Sequence, residues 1–220
     1  MLKLDHMEKL LDFLIEVGKL KEKKRRGWII HKIKNPETSA EHIFHLAFLV
    51  WVLGKNKDID LGKAIKMALI HDVCEVYSPD FTSFDAAAIN EKGRITIKDA
   101  LNLKPKIGRP TNLQRKRLEK IKKQLEMRAM KKILAKLPND LREEMNNLWL
   151  DYENNITSVG RFVKQADRVI NLLQGLEYWK KYGKIQHDLW IRRIKEVIDD
   201  PVLCDFIKIV EKRFCAKFKK

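Results

Sequence analysis

The stretch Pro36-Glu37-Thr38-Ser39-Ala40-Glu41-His42-Ile43-Phe44-His45-Leu46-Ala47-Phe48-Leu49-Val50-Trp51-Val52-Leu53-Gly54 decides the fold class. Its opening is a helix start. Thr38 and Glu41 stand at the spacing at which a hydroxyl and a carboxylate satisfy each other's backbone N–H groups. The apolar residues behind them predict a helix to about Leu53, with Gly54 as its stop. The uninterrupted apolar run, Leu46 to Leu53, has eight residues. A membrane span needs roughly 20, so this helix belongs to a protein core.

Outward from this segment the same period recurs. Met7, Leu10, Leu11, Phe13, Leu14 and Val17 keep 3.6-residue spacing up to Gly18. Residues 28–33 are short and β-branched and read as an extended connector. Leu61, Ala64, Ile65, Ala68 and Leu69 predict a helix over 61–74, broken by Ser78-Pro79-Asp80. Gly93, Pro105, Gly108 and Pro110 mark 81–111 as loop-rich. Helices are expected again over 113–137, 141–150, 158–179, 185–198 and 202–218. No alternating strand pattern and no repeat occurs. The expectation is an all-α bundle, with residues 1–220 as one domain.

Composition narrows the class. Of 220 residues, 45% are hydrophobic and 35% charged, which suits a soluble globule with a real core. The start of the chain, with Asp5 and Glu8, shows no export-signal pattern. The three cysteines, Cys74, Cys204 and Cys215, form no Cys-x-x-Cys pair, which points to a reducing, cytoplasmic compartment and against a disulfide framework. Asn155-Ile156-Thr157 matches a glycosylation acceptor by chance on that reading. The net charge is +16, and residues 86–136 alone contribute +12. Such a field steers anionic ligands toward the chain. It also raises nucleic acid as a possible partner, but 86–136 holds no aromatic residue on which a base could stack. Solvated lysine-rich helix faces are the simpler reading.

Several ionisable residues sit where apolar ones are expected. His42 opens the helix quoted above, His71-Asp72 interrupts an apolar run, and Asp167 lies inside Phe162-Val163-Lys164-Gln165-Ala166-Asp167. A buried imidazole or carboxylate costs several kcal/mol unless it is paired or metal-bound. Two imidazoles and two carboxylates suit a divalent transition metal with positions left for water. His45 and Cys74 read as core residues instead.

These segments resemble the HD-domain metal-dependent phosphohydrolases, whose pattern is a histidine, a His-Asp pair and a distant aspartate. Gly27-Trp28, Pro36 to His42, Ala68 to Asp72 with Glu75 and Asp80, Leu148-Trp149 with Tyr152-Glu153, and Phe162 to Asp167 are similar to the 5′-deoxynucleotidase branch of that family. The similarity spans residues 8–85 and 124–180. It implies an HD-domain helical bundle and one divalent ion (Mn, Co, Mg, Zn, Ni or Fe) held by His42, His71, Asp72 and Asp167. It implies release of phosphate from deoxyribonucleoside 5′-monophosphates. Glu75, placed one helical turn past His71, would handle protons. Asp80 would meet the sugar, Arg25 or Arg26 the phosphate, and Trp28 the sugar's 2′ position. Lys164 would assist at the phosphate, with Glu153 a weaker participant. Relatives of this kind are commonly homodimers, and the final helices could supply an interface. Residues 86–123 are a basic insertion atypical of the family. They leave two alternatives open: another nucleotide substrate (a triphosphate, a cyclic or a signalling guanosine nucleotide), or a nucleic-acid-binding protein with an ancillary site.

Overall fold

A computed structural model describes residues 4–92, 95–183 and 187–215. Gly93, Ile185, residues 216–218 and the side chain of Cys215 lie outside the described residues. The described chain forms α-helices and short 3₁₀ turns, with no strand among the described residues. The helices are α1 (Leu4–Gly18), α2 (Arg26–Ile30), α3 (Ser39–Gly54), α4 (Leu61–Ile70), α5 (Ser83–Ala87), α6 (Ile97–Leu101), α7 (Asn112–Leu134), α8 (Asn139–Asn154), α9 (Ser158–Tyr182), α10 (His187–Lys195) and α11 (Pro201–Cys215). The all-α expectation holds. No helix among the described residues is long and apolar enough to cross a membrane.

Two compact units interleave along the chain. The first contains residues 1–40 and 72–143, and the second residues 41–71 and 144–220. In the first, the 3₁₀ turn Val73–Val76 packs on α7 and α1, and α5 and α6 also pack on α7. Phe81, Ala86, Ile89, Ala100, Leu118 and Ile121 form a buried cluster there, flanked by Ile95, Ile97, Leu103 and Leu125. The segment expected to be loop-rich thus carries two short helices. Thr82 and Thr96 open them with side-chain caps, reciprocated by Asp85 and Asp99. In the second unit, α4, α10 and α11 all pack on α9. Phe162, Ile170, Leu172 and Leu176 of α9 are almost wholly buried.

Three local readings need correction. Residues 28–33 are not an extended connector, because α2 covers Arg26–Ile30. Its five residues are too few to hold a helix alone. Side chains outside it anchor it: the Arg26 N–H donates to Asp80 Oδ2 at 2.8 Å, and the Trp28 indole N–H donates to Glu37 Oε1 at 2.8 Å. Second, the helix expected over 61–74 stops at Ile70. His71 Nδ1 lies 2.7 Å from the Ala68 carbonyl, the acceptor that a continuing helix would offer to the Asp72 N–H. Asp72, at φ −107°, then leads into the 3₁₀ turn. Third, His45 is only half-buried, so it is not a core histidine.

Close backbone approach makes Gly160 of α9 sensitive. A Cβ there would stand 2.7 Å from the Asp151 carbonyl oxygen and would overlap its Oδ1. That carboxylate is held by the Thr157 N–H, the Thr157 hydroxyl and Lys63, so moving it breaks hydrogen bonds. Gly160→Ala is expected to destabilise the protein by about 1–3 kcal/mol in a denaturant titration, the range for forced overpacking. A change under about 0.5 kcal/mol, ordinary for a tolerated surface substitution, would contradict the packing described.

Candidate metal and phosphate site

The second unit gathers three of the four expected ligands. His42 lies in the first turns of α3 and is fully buried. Its Nε2 is 3.0 Å from Oδ1 of Asp167, which projects from the middle of α9. His71 closes α4, and its ring centroid is 5.4 Å from that of His42. Because a carbonyl can only accept, the contact to Ala68 fixes the His71 proton on Nδ1 and leaves the lone pair on Nε2. A metal-ligating histidine commonly has this arrangement.

Asp72 is joined to His71 by a peptide bond, and donor atoms of these two consecutive residues lie within 4.8 Å of one another. Two buried imidazoles with a carboxylate beside them, and a further carboxylate next along the chain, are a donor set of the right chemistry for a divalent transition metal.

The first unit gathers a second group. Residues 23–25 run antiparallel to 37–39, with an Arg25 N–H to Glu37 carbonyl bond of 3.0 Å and a Ser39 N–H to Lys23 carbonyl bond of 2.7 Å. That pairing presents Arg25 to two carboxylates. Its Nη1 is 2.5 Å from Asp72 Oδ2 and 3.4 Å from Glu75 Oε1. Glu75 Oε2 accepts from the Ser39 hydroxyl at 2.6 Å. Glu75 is only 4% exposed, and burial drives its carboxyl well above the usual range. The neighbouring charges of Asp72 and Asp80 push the same way, against Arg25 and Ser39. Helical i, i+4 spacing does not explain the position of Glu75, because α4 ends before His71.

The two arginines part company here. Arg26 places Nε 3.0 Å and Nη2 2.7 Å from Asp85 Oδ1, and Nη2 also reaches the Leu103 carbonyl at 3.3 Å. Asp85 is fully buried. Arg26 is therefore a tie to the segment after Asp80, while Arg25 faces Asp72 and Glu75. Trp28 is 4% exposed, and its indole N–H is given to Glu37. Lys164 is 3.4 Å from Glu153 and stands over the Tyr152 ring, 4.2 Å from the centroid. Cys74 is buried, as a small core residue, and burial raises its thiol.

Sequence reasoning gave no role to four residues that touch this group. Tyr152 donates its hydroxyl to Asp167 Oδ2 at 2.9 Å, and Asn171 donates to Asp167 Oδ1 at 2.8 Å. Ser39 holds Glu75, and Asp85 holds Arg26. Ser39 and Tyr152 fall in the segments quoted above without a role of their own, and Asn171, at i+4 from Asp167 on one helix face, could have been found from that spacing.

An HD-domain family model matches residues 17–203. The chain belongs to the HD-domain family. Within it the chain falls in the 5′-deoxynucleotidase branch. It is 30% identical to the 5′-deoxynucleotidase HDDC2 of Homo sapiens over 169 residues, covering 77% of this chain and 68% of that one. It is also 28% identical to the 5′-deoxynucleotidase YGK1 of Saccharomyces cerevisiae over 198 residues, covering 90% and 80%. Among solved structures, a conserved hypothetical protein from Pyrococcus furiosus superposes with a TM-score of 0.65 at 24% identity, covering 92% of this chain and 99% of that one. A predicted metal-dependent phosphohydrolase from Magnetospirillum magnetotacticum gives 0.63 at 21% identity, covering 97% of each. These two structures speak for the fold.

The buried Glu75 makes a pH prediction. In the unfolded chain its carboxyl ionises in the ordinary range, and in the fold it ionises at higher pH. Between those values the folded state binds the extra proton, so stability falls as pH rises through the window. Glu75→Gln removes this dependence. In chelator-containing buffer, the melting temperature of the variant relative to wild type should climb from pH 4.5 to pH 8, on the order of a few degrees. A difference that stays flat with pH would contradict the assignment.

Proposed function

We propose that this protein is a metal-dependent phosphohydrolase releasing phosphate from deoxyribonucleoside 5′-monophosphates, with the whole chain acting as one HD domain. One observation carries the reading. His42 and Asp167, far apart in sequence, meet at 3.0 Å inside one unit, with the His71 ring beside His42. The 5′-deoxynucleotidase relatives and the family model across 17–203 support it.

In this reading His42, His71, Asp72 and Asp167 hold one divalent ion. When bound, it supplies Lewis-acid polarisation of the phosphate and a lowered pKa for water. The remaining work belongs to side chains. Arg25 binds phosphate oxygens, for which a guanidinium fork is well matched. Arg26 serves the same end indirectly, by holding the neighbouring backbone against Asp80 and Asp85. Glu75, whose buried carboxyl keeps its proton to higher pH, is suited to protonate the departing 5′-oxygen. Lys164 adds positive charge near the phosphate, while Asp80 meets the sugar. Trp28 offers carbon against the 2′ position, because its N–H is spent on Glu37. A ribose hydroxyl set there loses a hydrogen bond, which disfavours ribonucleotides. The +16 charge draws anionic substrates in. The absence of a cysteine motif fits a cytoplasmic setting.

We further propose a homodimer. The final helices expose Leu189, Val202 and Ile209, and α3 adds Phe44, Phe48, Trp51 and Val52, which share one face and are 46–67% exposed. Exposed apolar patches of this kind mark interaction sites.

The chemistry is tested by stripping metal and assaying phosphate release from deoxy- and ribonucleoside monophosphates, with manganese, cobalt or magnesium restored. Release from deoxynucleotides, at least about tenfold over ribonucleotides, is expected for one lost hydrogen bond of about 1.4 kcal/mol. Asp72→Ala should abolish it, and Arg25→Ala should weaken it more than Arg26→Lys. No release with any metal overturns the proposal. For the assembly, light scattering should give twice the chain mass for wild type and the single mass for Trp51→Glu. A monomeric wild type rules the dimer out.

A further inference from the structure

Asp167 is gripped from both sides. Its Oδ2 accepts from the Tyr152 hydroxyl at 2.9 Å, and its Oδ1 accepts from Asn171 Nδ2 at 2.8 Å. Asn171 Nδ2 also bonds the Asp167 carbonyl at 2.9 Å, so the amide is anchored to the backbone of α9 as well as to the side chain. The Oδ1 atom is the one that faces His42 Nε2 at 3.0 Å. Tyr152 is itself fixed: it is buried, its ring packs on that of His71 at 5.1 Å between centroids, and Lys164 covers a face at 4.2 Å. All of these residues lie in the second unit.

A carboxylate can bind a cation through one oxygen or both. Two donors on opposite oxygens restrict its freedom to swing, and the phenol ties up Oδ2, the oxygen other than the one 3.0 Å from His42 Nε2. We propose that Tyr152 and Asn171 are positioning residues that fix Asp167 as a one-oxygen ligand, Oδ1 serving the ion and Oδ2 held by the phenol. This rests on the metal reading above. Tyr152 touches two of the ligands, Asp167 by its hydroxyl and His71 by its ring, so α8 has a part in setting the site although it contributes no ligand. Hydrogen bonds to ligating groups of this type are worth 10–100-fold in metal affinity.

The test is the dissociation constant of Mn²⁺ itself, read by the electron paramagnetic resonance of free Mn²⁺ without any nucleotide. Tyr152→Phe keeps the ring and loses only the hydroxyl. It should weaken Mn²⁺ binding at least about tenfold, as expected for this kind of bond. Asn171→Ala should do the same from the other oxygen, and it keeps the claim falsifiable should the tyrosine variant fail to fold. In an Asp167→Ala background Tyr152→Phe should change the constant by less than about twofold, because its route to the ion is gone. Wild-type binding with both single variants within twofold of it overturns the positioning role and leaves the metal reading intact. A Tyr152→Phe effect that persists in the Asp167→Ala background also overturns it. No binding by wild type fails the metal reading itself.

Discussion

The fold is built around ionisable groups kept out of water. His42 is completely buried and His71 is 1% exposed. An unsatisfied imidazole in such a place costs on the order of 1–3 kcal/mol, so each must be met by a partner. The helices supply the partners. Asp167 of α9 comes within 3.0 Å of His42 of α3, and the Ala68 carbonyl of α4 accepts a hydrogen bond from His71 Nδ1–H. The same constraint operates in the first unit, where Arg25 and Ser39 meet the carboxylate of Glu75. Apolar packing alone would choose aliphatic residues at these positions, so keeping polar ones there is a commitment to chemistry.

Much of this was legible in the chain. The bounds of α3 follow from the helix-start residues Thr38 to Glu41 and from Gly54, and α9 from its long apolar period. The proposed ligand residues stood out because a carboxylate or imidazole in an apolar period is costly wherever the helix goes.

What escaped depended on partners far away in sequence. Nothing local in Arg26-Gly27-Trp28-Ile29-Ile30 favours a helix; Asp80 and Glu37 impose it. The end of α4 was hidden because Val73 and Cys74 are as buried in the 3₁₀ turn as they would be in a helix, and periodicity reads burial rather than conformation. The buried cluster from Phe81 to Ile121 was obscured by the basic residues between its members. Arg25 and Arg26 look alike as letters. Only the position of Asp85, fully buried under a capping threonine, separates the arginine that ties down a segment from the one that faces the acidic pair.

The account stands on one cation held in common by His42, His71, Asp72 and Asp167. A crystal of the full chain soaked in Mn²⁺, with diffraction recorded for its anomalous signal, tests that most directly. The account predicts one strong peak at roughly 2.0–2.3 Å from a nitrogen of each histidine and an oxygen of each aspartate, ordinary bond lengths for such ligands. Density elsewhere, or no density between these four residues at saturating Mn²⁺, would contradict it.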